Sequence, residues 1–337
     1  MKKLCLLLLL CIVSLWGYSH DAQAARFVNA DLGDTVYSDV SQILDEEYPH
    51  ATQVHVSVGE NKSLRINSEK ITSVIIESSG MEPVTIIGAP NLKTVAYNTS
   101  VATTLDFSDT NGYENVSWFK LYSEDQLQTL TLPEMKNLKT LWINGAIQSI
   151  DLNENKTLEE VDFTDTAIPS ISFKGYKKLE EIHFYCELAE TNPLKKINVS
   201  GCKSLRKLFL ASTEVTSLDV RKCPKLKAMT LGASLTKLKV QKKQAFNSVN
   251  VGTNVALLKK LNANVKKISF SCQKKTIRLR KLMPWLTKKT TYKISPDSMD
   301  HYSKVDKKGV ITGDDYCEPT VIAKQRKKKI TFEITLP

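Results

Sequence analysis

Between Asp219 and Asp297 the chain has no aspartate or glutamate, although the same stretch carries 20 lysines and arginines. Cysteine is also sparse. Of seven cysteines, Cys5 and Cys11 fall in an N-terminal leader, and the five that remain cannot form a disulfide framework in so long a chain. No phosphate-binding Gly-x-x-x-x-Gly-Lys loop, His-Glu-x-x-His helix, Gly-x-Ser-x-Gly elbow or paired Cys-x-x-Cys occurs in the 337 residues. The five histidines are scattered without metal-ligand spacing. These absences point away from an enzyme, a resident metal and a cofactor. An apolar content of 42% excludes a disordered chain, and the single long apolar run, Leu4 to Trp16, is short for a bilayer span.

That run follows Lys2 and Lys3 and precedes Ala22-Gln23-Ala24, the small-x-small pattern of a cleaved export signal. Leu10 before Cys11 does not suit lipid attachment. The expectation is an exported chain, secreted, periplasmic or associated with the cell surface, with no transmembrane segment once the leader is removed. Its net charge of +11 hides a division. Ala25 to Ser170 carries 9 basic and 22 acidic residues, whereas Ile171 to the end carries 36 basic and 13 acidic. Such asymmetry bears on partners and solubility.

Repetition organises the chain. A frame of apolar residues at positions 1, 4 and 6 recurs at Leu138/Leu141/Ile143, Leu158/Val161/Phe163, Leu179/Ile182/Phe184, Leu205/Leu208/Leu210 and Leu226/Met229/Leu231. Weaker copies begin at Leu92, Val116, Phe246 and Val265, giving successive spacings of 24, 22, 20, 21, 26, 21, 20 and 19 residues. A second frame trails the first by roughly ten residues: Leu127/Leu130/Leu132, Ile147/Ile150/Leu152, Ile168/Ile171/Phe173, Leu194/Ile197/Val199, Val215/Leu218/Val220 and Leu235/Leu238/Val240. Each period therefore supplies two short strands, one for each side of a flattened coil, and no coil can bury its apolar face without neighbours. Asp151 and Asp219 occupy the same repeat position, which suits a repeated structural role. Cys202 and Cys223 are likewise equivalent, and suit stacked buried thiols, with a bond between them left open.

These segments resemble leucine-rich repeats of a bacterial exported type with a period near 21. The clearest units are Leu205-Arg-Lys-Leu-Phe-Leu, Val215-Thr-Ser-Leu-Asp-Val and the turn starting at Leu226. The resemblance covers about 63–271 and implies a mainly β solenoid. The asparagine usual after the strand is replaced by Ala211-Ser212-Thr213 in one copy and Gly232-Ala233 in the next. Before the repeats, Val36, Val40, Ile43 and Leu44 follow Asp34/Thr35 at helical spacing, so residues 25–62 are expected to form a cap with a short helix. Beyond Cys272 the period stops. The run from Lys304 to Thr312, with its Asp-x-x-Gly turn, and the alternating run from Ile330 to Leu336 suggest a C-terminal β domain over 272–337. These strands resemble half of a bacterial Ig-like domain, or else simply cap the solenoid. The order of cap, repeats and Ig-like domain resembles internalin-type surface proteins, which implies recognition of a host protein or glycan.

If positions 1, 4 and 6 point inward, positions 3, 5 and 7 form an outer face. Those positions hold Trp118, Lys120, Tyr122; Thr140, Trp142, Asn144; Glu160, Asp162, Thr164; Glu181, His183, Tyr185; and Lys207, Phe209, Ala211. Trp118, Tyr122, Trp142, His183, Tyr185 and Phe209 are thus candidate ligand-binding residues, unless loops cover them or the phase is shifted by one. The long spacing after Tyr185 places an inserted loop at Glu187 to Pro193 beside this face. Lys237, Lys239, Lys242, Lys243, Lys259, Lys260, Lys266 and Lys267 recur near coil spacing. They suit either a polyanion-binding stripe, for instance for an acidic polysaccharide, or an ordinary solvated face; no groove-reading motif for nucleic acid is present. The function expected is non-enzymatic binding or adhesion. The alternative is an envelope protein that self-associates through its acidic and basic halves.

Overall fold

The computed structural model describes residues 29–124, 126–187, 192–261, 264–298, 300, 302–313 and 317–336; the expected leader lies outside them. Each of the nine apolar frames becomes a strand of one sheet. Three strands come first: β1 (Asn29–Val36), β2 (Gln53–Gly59) and β3 (Ser73–Ser78). The nine framed strands are β4 (Thr94–Thr99), β5 (Trp118–Ser123), β6 (Thr140–Asn144), β7 (Glu160–Thr164), β8 (Glu181–Tyr185), β9 (Lys207–Leu210), β10 (Ala228–Leu231), β11 (Phe246–Asn250) and β12 (Val265–Ser271). All twelve run parallel, each beside its predecessor. The whole is a mainly β, leucine-rich-repeat-like solenoid.

The second frames form three-residue strands on the opposite side, centred on Leu130, Ile150, Ile171, Ile197, Leu218 and Leu238. Between the two sides lies the core. Leu138, Leu141, Leu158, Val161, Leu179 and Ile182 are fully buried in it. Burial of each such side chain stabilises the fold by about 1.5–3 kcal/mol. Because no coil can bury its apolar face alone, that stabilisation belongs to neighbouring pairs of coils.

Separate side-chain hydrogen bonds stand in place of a continuous run of asparagines. Asn192 is completely buried and its Nδ2 donates to the Thr166 carbonyl at 3.1 Å, while its Oδ1 accepts from Leu194 N. Asn254 Nδ2 donates to the carbonyls of Ala233 and Leu235. Asp106, Asp151, Asn198 and Asp219 share another place, each accepting from the backbone N–H two residues on. Asp151 and Asp219 are thus turn-forming groups, as their common repeat position suggests. Gly145 closes the turn after β6 with φ +131°, where a Cβ would meet Ser123 Oγ at 2.1 Å.

The N-terminal end departs from the sequence reading, whereas the C-terminal strands follow its capping alternative. The expected helix shrinks to α1 (Ser41–Glu46), with Val40 and Leu44 buried. Its start is held by Asp39, whose Oδ1 accepts from Ser41 N at 2.9 Å, and not by Asp34. Val36 belongs to β1 and is exposed. Pairing of 29–36 with β2 wins over the helical spacing, and the sheet therefore begins well before Ser63. At the other end, β13 (Thr291–Ile294), β14 (Thr320–Gln325) and β15 (Lys328–Thr335) extend the same sheet in the order β12-β15-β14-β13. The link from β12 to β15 is parallel and the others are antiparallel. Ile330, Phe332 and Ile334 of β15 are buried, so the alternating run caps the last coil. The Asp-x-x-Gly turn is present: Asp306 accepts from Lys308 N and Val310 N, and Gly309 takes φ +75°. It joins the antiparallel pair Lys304–Val305 and Val310–Thr312, and the latter strand also pairs with Thr276–Arg278 in a separate small sheet.

Candidate ligand-binding face

Register defines the outer face of the sheet as rows. One row contains Trp118, Thr140, Glu160, Glu181, Lys207, Ala228, Ser248 and Lys267, adjacent residues being Cα partners. The next row contains Lys120, Trp142, Asp162, His183, Phe209, Thr230, Asn250 and Ser269. Strands β5 to β8 alternate partly exposed and buried positions, with Phe119, Leu121, Leu141 and Ile143 turned inward, so the phase inferred from the frames is the one observed.

All six candidate ring residues stand on this face, but they are less open than the sequence suggests. Only Tyr185, at 43%, is exposed. The rings cover one another in two groups. Trp118 and Trp142 have centroids 5.6 Å apart, with Lys120 Nζ 5.6 Å from the Trp142 ring. Two strands beyond β6, His183 stacks on Phe209 at 6.2 Å, and Tyr185 lies 6.3 Å from Phe209. Tyr122 shares its register position with Asn144.

Between the ring groups lies a charged strip. Burial raises the Asp162 carboxyl above its ordinary pKa, against the hydrogen bond donated by the Thr164 hydroxyl. Burial, and then the charge of Glu181, raises that of Glu160. Burial also acts to raise Glu181, but Lys207 and His183 outweigh it and leave that carboxyl below its ordinary value. Lys207 Nζ lies 2.8 Å from one Glu181 oxygen and 3.0 Å from the other. Burial lowers the pKa of Lys120.

Register thus assembles what linear spacing does not show. Donor atoms of Glu160, Glu181 and His183 lie within 4.8 Å of one another, a set that could hold a metal ion. Lys207 already supplies a positive charge to Glu181, which makes the set an ion-pair network as it stands.

No protein-family model and no curated protein matches this chain. A solved structure to which it is similar is the functional domain of InlJ from Listeria monocytogenes, described as including a cysteine ladder, at 14% identity and a TM-score of 0.35. The match covers 92% of this chain and 75% of that one.

The eight candidate lysines do not form one stripe. Lys237 and Lys239 are exposed on the back strand Lys237–Lys239. Lys259 and Lys260 are exposed at the end of a 3₁₀ turn, Val255–Lys260, which takes the place of that strand in the next coil. Lys242 and Lys243 are exposed in the bend between β11 and the preceding back strand. Alternation along β12 separates its doublet. Lys266 is exposed, whereas Lys267 occupies the outer-face row and pairs with Glu333 at 2.5 Å. Of the inserted loop, residues 188–191 lie outside the described residues; Glu187 N donates to Asp165 Oδ1 and Asn192 anchors the far end.

Past Phe209 the face drops to small side chains. A shallow depression of about 240 Å³ is lined by Phe209, Ala228, Thr230, Ser248, Asn250 and Ser269, with His183, Lys207 and Lys267 at its margins. Ala228, Thr230, Ser248, Asn250 and Ser269 were legible in principle, since they occupy positions 3 or 5 of the frames that start at Leu226, Phe246 and Val265. Their small size gave no signal comparable to a tryptophan. A second depression, about 500 Å³, opens on the back between strands Lys196–Asn198 and Ser217–Asp219, which are not paired. Of its two basic residues, Arg221 and Lys222, Arg221 is bound to Asp219.

Proposed function

We propose that this protein is a non-enzymatic recognition module of the cell exterior that holds a protein or glycan ligand on the outer face of its sheet. The observation that carries the reading is the pair of ring groups, Trp118/Trp142 and His183/Tyr185/Phe209, fixed on one rigid face by strand register. Rings with a flat apolar area and a polar edge suit sugar faces and protein contact centres alike. Rigid strands hold them at little further entropic cost on binding. Binding of the mature chain to protein and glycan arrays, repeated with Trp142→Ala, tests this. Capture that is insensitive to Trp142→Ala and Tyr185→Ala together would remove the face from the mechanism.

A second mode of binding, to polyanions, is favoured by the back of the solenoid. Lys237, Lys239, Lys259 and Lys260 are exposed on adjacent coils there, with Lys242 and Lys243 exposed in the bend between them, in a stretch without acidic residues. Coils about 4.8 Å apart place these charges within about one Debye length, roughly 8 Å at physiological salt, so their potentials add. Lysines of this kind favour diffuse attraction over bidentate recognition.

A further inference from the structure

We propose that the depression beside Phe209 is a saccharide subsite, formed by an aromatic wall and a floor of neutral hydrogen-bonding groups, and that it takes an uncharged pyranose ring. This deepens the reading of the sheet face as a ligand-binding surface and rests on it.

The floor is made by register. Phe209, Thr230, Asn250 and Ser269 follow one another as Cα partners across β9, β10, β11 and β12, and Ala228 partners Ser248 in the row beside them. Adjacent strands stand about 4.8 Å apart, so the hydroxyls and amide form a grid on the scale of one sugar ring and its substituents. Ala228 supplies no bulk, and the floor lies lower than the ring cluster beside it.

Three of the four polar side chains of the floor are available, the fourth, Ser269, donating its hydroxyl to Glu333 Oε2 at 2.9 Å. Among the described residues, the Thr230 and Ser248 hydroxyls and Asn250 Nδ2 have no hydrogen-bond partner, while Asn250 Oδ1 accepts from Gly252 N at 2.9 Å and so fixes the direction of the amide. A half-exposed hydroxyl or amide in contact with water can exchange that water for a ligand hydroxyl at small net cost. The wall is flat and already oriented, since Phe209 stacks on His183 with an interplanar angle of 16°. A pyranose presents C–H groups on one face and hydroxyls around its edge. Wall and floor match these two kinds of surface.

Charge and composition narrow the class. Lys207 and Lys267 flank the floor, but Lys207 is paired with Glu181 and Lys267 with Glu333. Among the described residues, the rim has no uncompensated cation for a uronate or sulfate. Serine and threonine are under-represented at protein contact centres, which also sets this floor apart from the tryptophan pair on β5 and β6. A volume of about 240 Å³ is below the usual range for drug-sized ligands, about 300–1,000 Å³, and suits one ring of a longer chain.

The test uses the mature chain and tetrasaccharides of glucose, mannose, galactose and N-acetylglucosamine, with tetragalacturonate as the charged arm, read by calorimetry and by saturation-transfer NMR. At least one neutral tetrasaccharide should bind, and bind better than tetragalacturonate. Asn250→Asp retains the acceptor for Gly252 N but replaces the amide donor, and with Thr230→Val should weaken binding at least tenfold without change in melting temperature. A bulky Ala228→Phe should abolish it. Binding of a neutral tetrasaccharide that Trp142→Ala weakens and Asn250→Asp/Thr230→Val leaves unchanged would overturn the subsite while leaving the sheet face as the ligand surface. Protein ligands captured through Trp142, with none of the tetrasaccharides bound, would do the same. Binding insensitive to both sets of variants would overturn both readings. To separate a free polysaccharide from a glycan carried on protein as source, the variants are compared on purified polysaccharide and on a glycoprotein before and after glycosidase treatment.

Discussion

The thiol of Cys223 donates a hydrogen bond to the carbonyl oxygen of Val199, one coil earlier, at 3.2 Å. Cys202 does the same to Phe173 at 3.1 Å, and Asn155 and Gln244 fill equivalent turn positions with amides that donate to Pro133 and Cys223. Two thiols and two carboxamides therefore perform one task, satisfying a carbonyl of the preceding coil. Both cysteines are free and buried. Burial pushes the Cys202 thiol up to about 12 and that of Cys223 to about 11. At pH 8 both should resist thiol reagents until the protein unfolds. Cys223→Ser should be near neutral and Cys223→Ala should cost about 1–2 kcal/mol, measured as a shift in denaturant midpoint.

Leu208 is 1% exposed on β9, with Ile182 and Met229 as register partners on either side. Leu208→Asp would bury a charge without a partner between two coils and should destabilise by more than about 4 kcal/mol. Because coils depend on neighbours, loss of amide-exchange protection should extend through several coils. A melting temperature equal to that of the wild type would show the register to be wrong.

Of the outward rings, Tyr185 and Trp142 should behave differently. Tyr185→Ala should change the melting temperature little, because Tyr185 is the most exposed of the six, at 43%. Trp142→Ala removes a ring packed on Trp118 and should cost about 1 kcal/mol. If these residues are contact centres, each loss should weaken ligand binding by about 2 kcal/mol or more.

His55 on β2 links the first three strands: its Nε2 lies 3.0 Å from Glu77 on β3, and its Nδ1 lies 3.7 Å from Asp31 on β1. The hydrogen bond with Glu77, opposed by burial and supported by both carboxylate charges, raises its pKa above 6.5. A raised folded pKa means stability that is fully present below the unfolded value of 6.5 and lost as pH rises through the folded value. Glu77 is lowered by the same bond, so its contribution is present above 4.5 and lost as pH falls through its folded value. Urea midpoints should therefore fall from pH 6 toward pH 8.5, and His55→Gln should remove that part of the dependence.

Heparin elution tests the basic back. Reversal of Lys237, Lys239, Lys259 and Lys260 to Glu should flatten the dependence of log affinity on log salt by about 0.9 for each polyanion charge the lysines no longer neutralise. Lys267 is already held by Glu333, so Lys267→Gln should add little. Elution of the wild type no later than the reversed variant would show the lysines to be a solvated surface. A decrease in particle size with salt, seen by light scattering, would instead favour self-association of the acidic and basic halves.

The repeat spacing, the inward positions Leu141, Val161, Ile182 and Leu208, and hence the outward placement of Trp142, His183 and Phe209 were legible in the sequence. A side chain's face depends only on the two-residue period of a strand, which is a local property. What those outward residues touch depends on which strands become neighbours and in what register, and that only the tertiary structure decided. It set Glu160 beside Glu181, partly buried Asp162, divided Lys266 from Lys267 and paired the latter with Glu333, 66 residues away. It also decided the ends: Val36 has a helical spacing to Val40 and a strand partner in β2, and pairing across the sheet determined the outcome. Likewise, the alternation of Ile330, Phe332 and Ile334 identified a strand, but only the parallel pairing of β15 with β12 made it the cap of the solenoid.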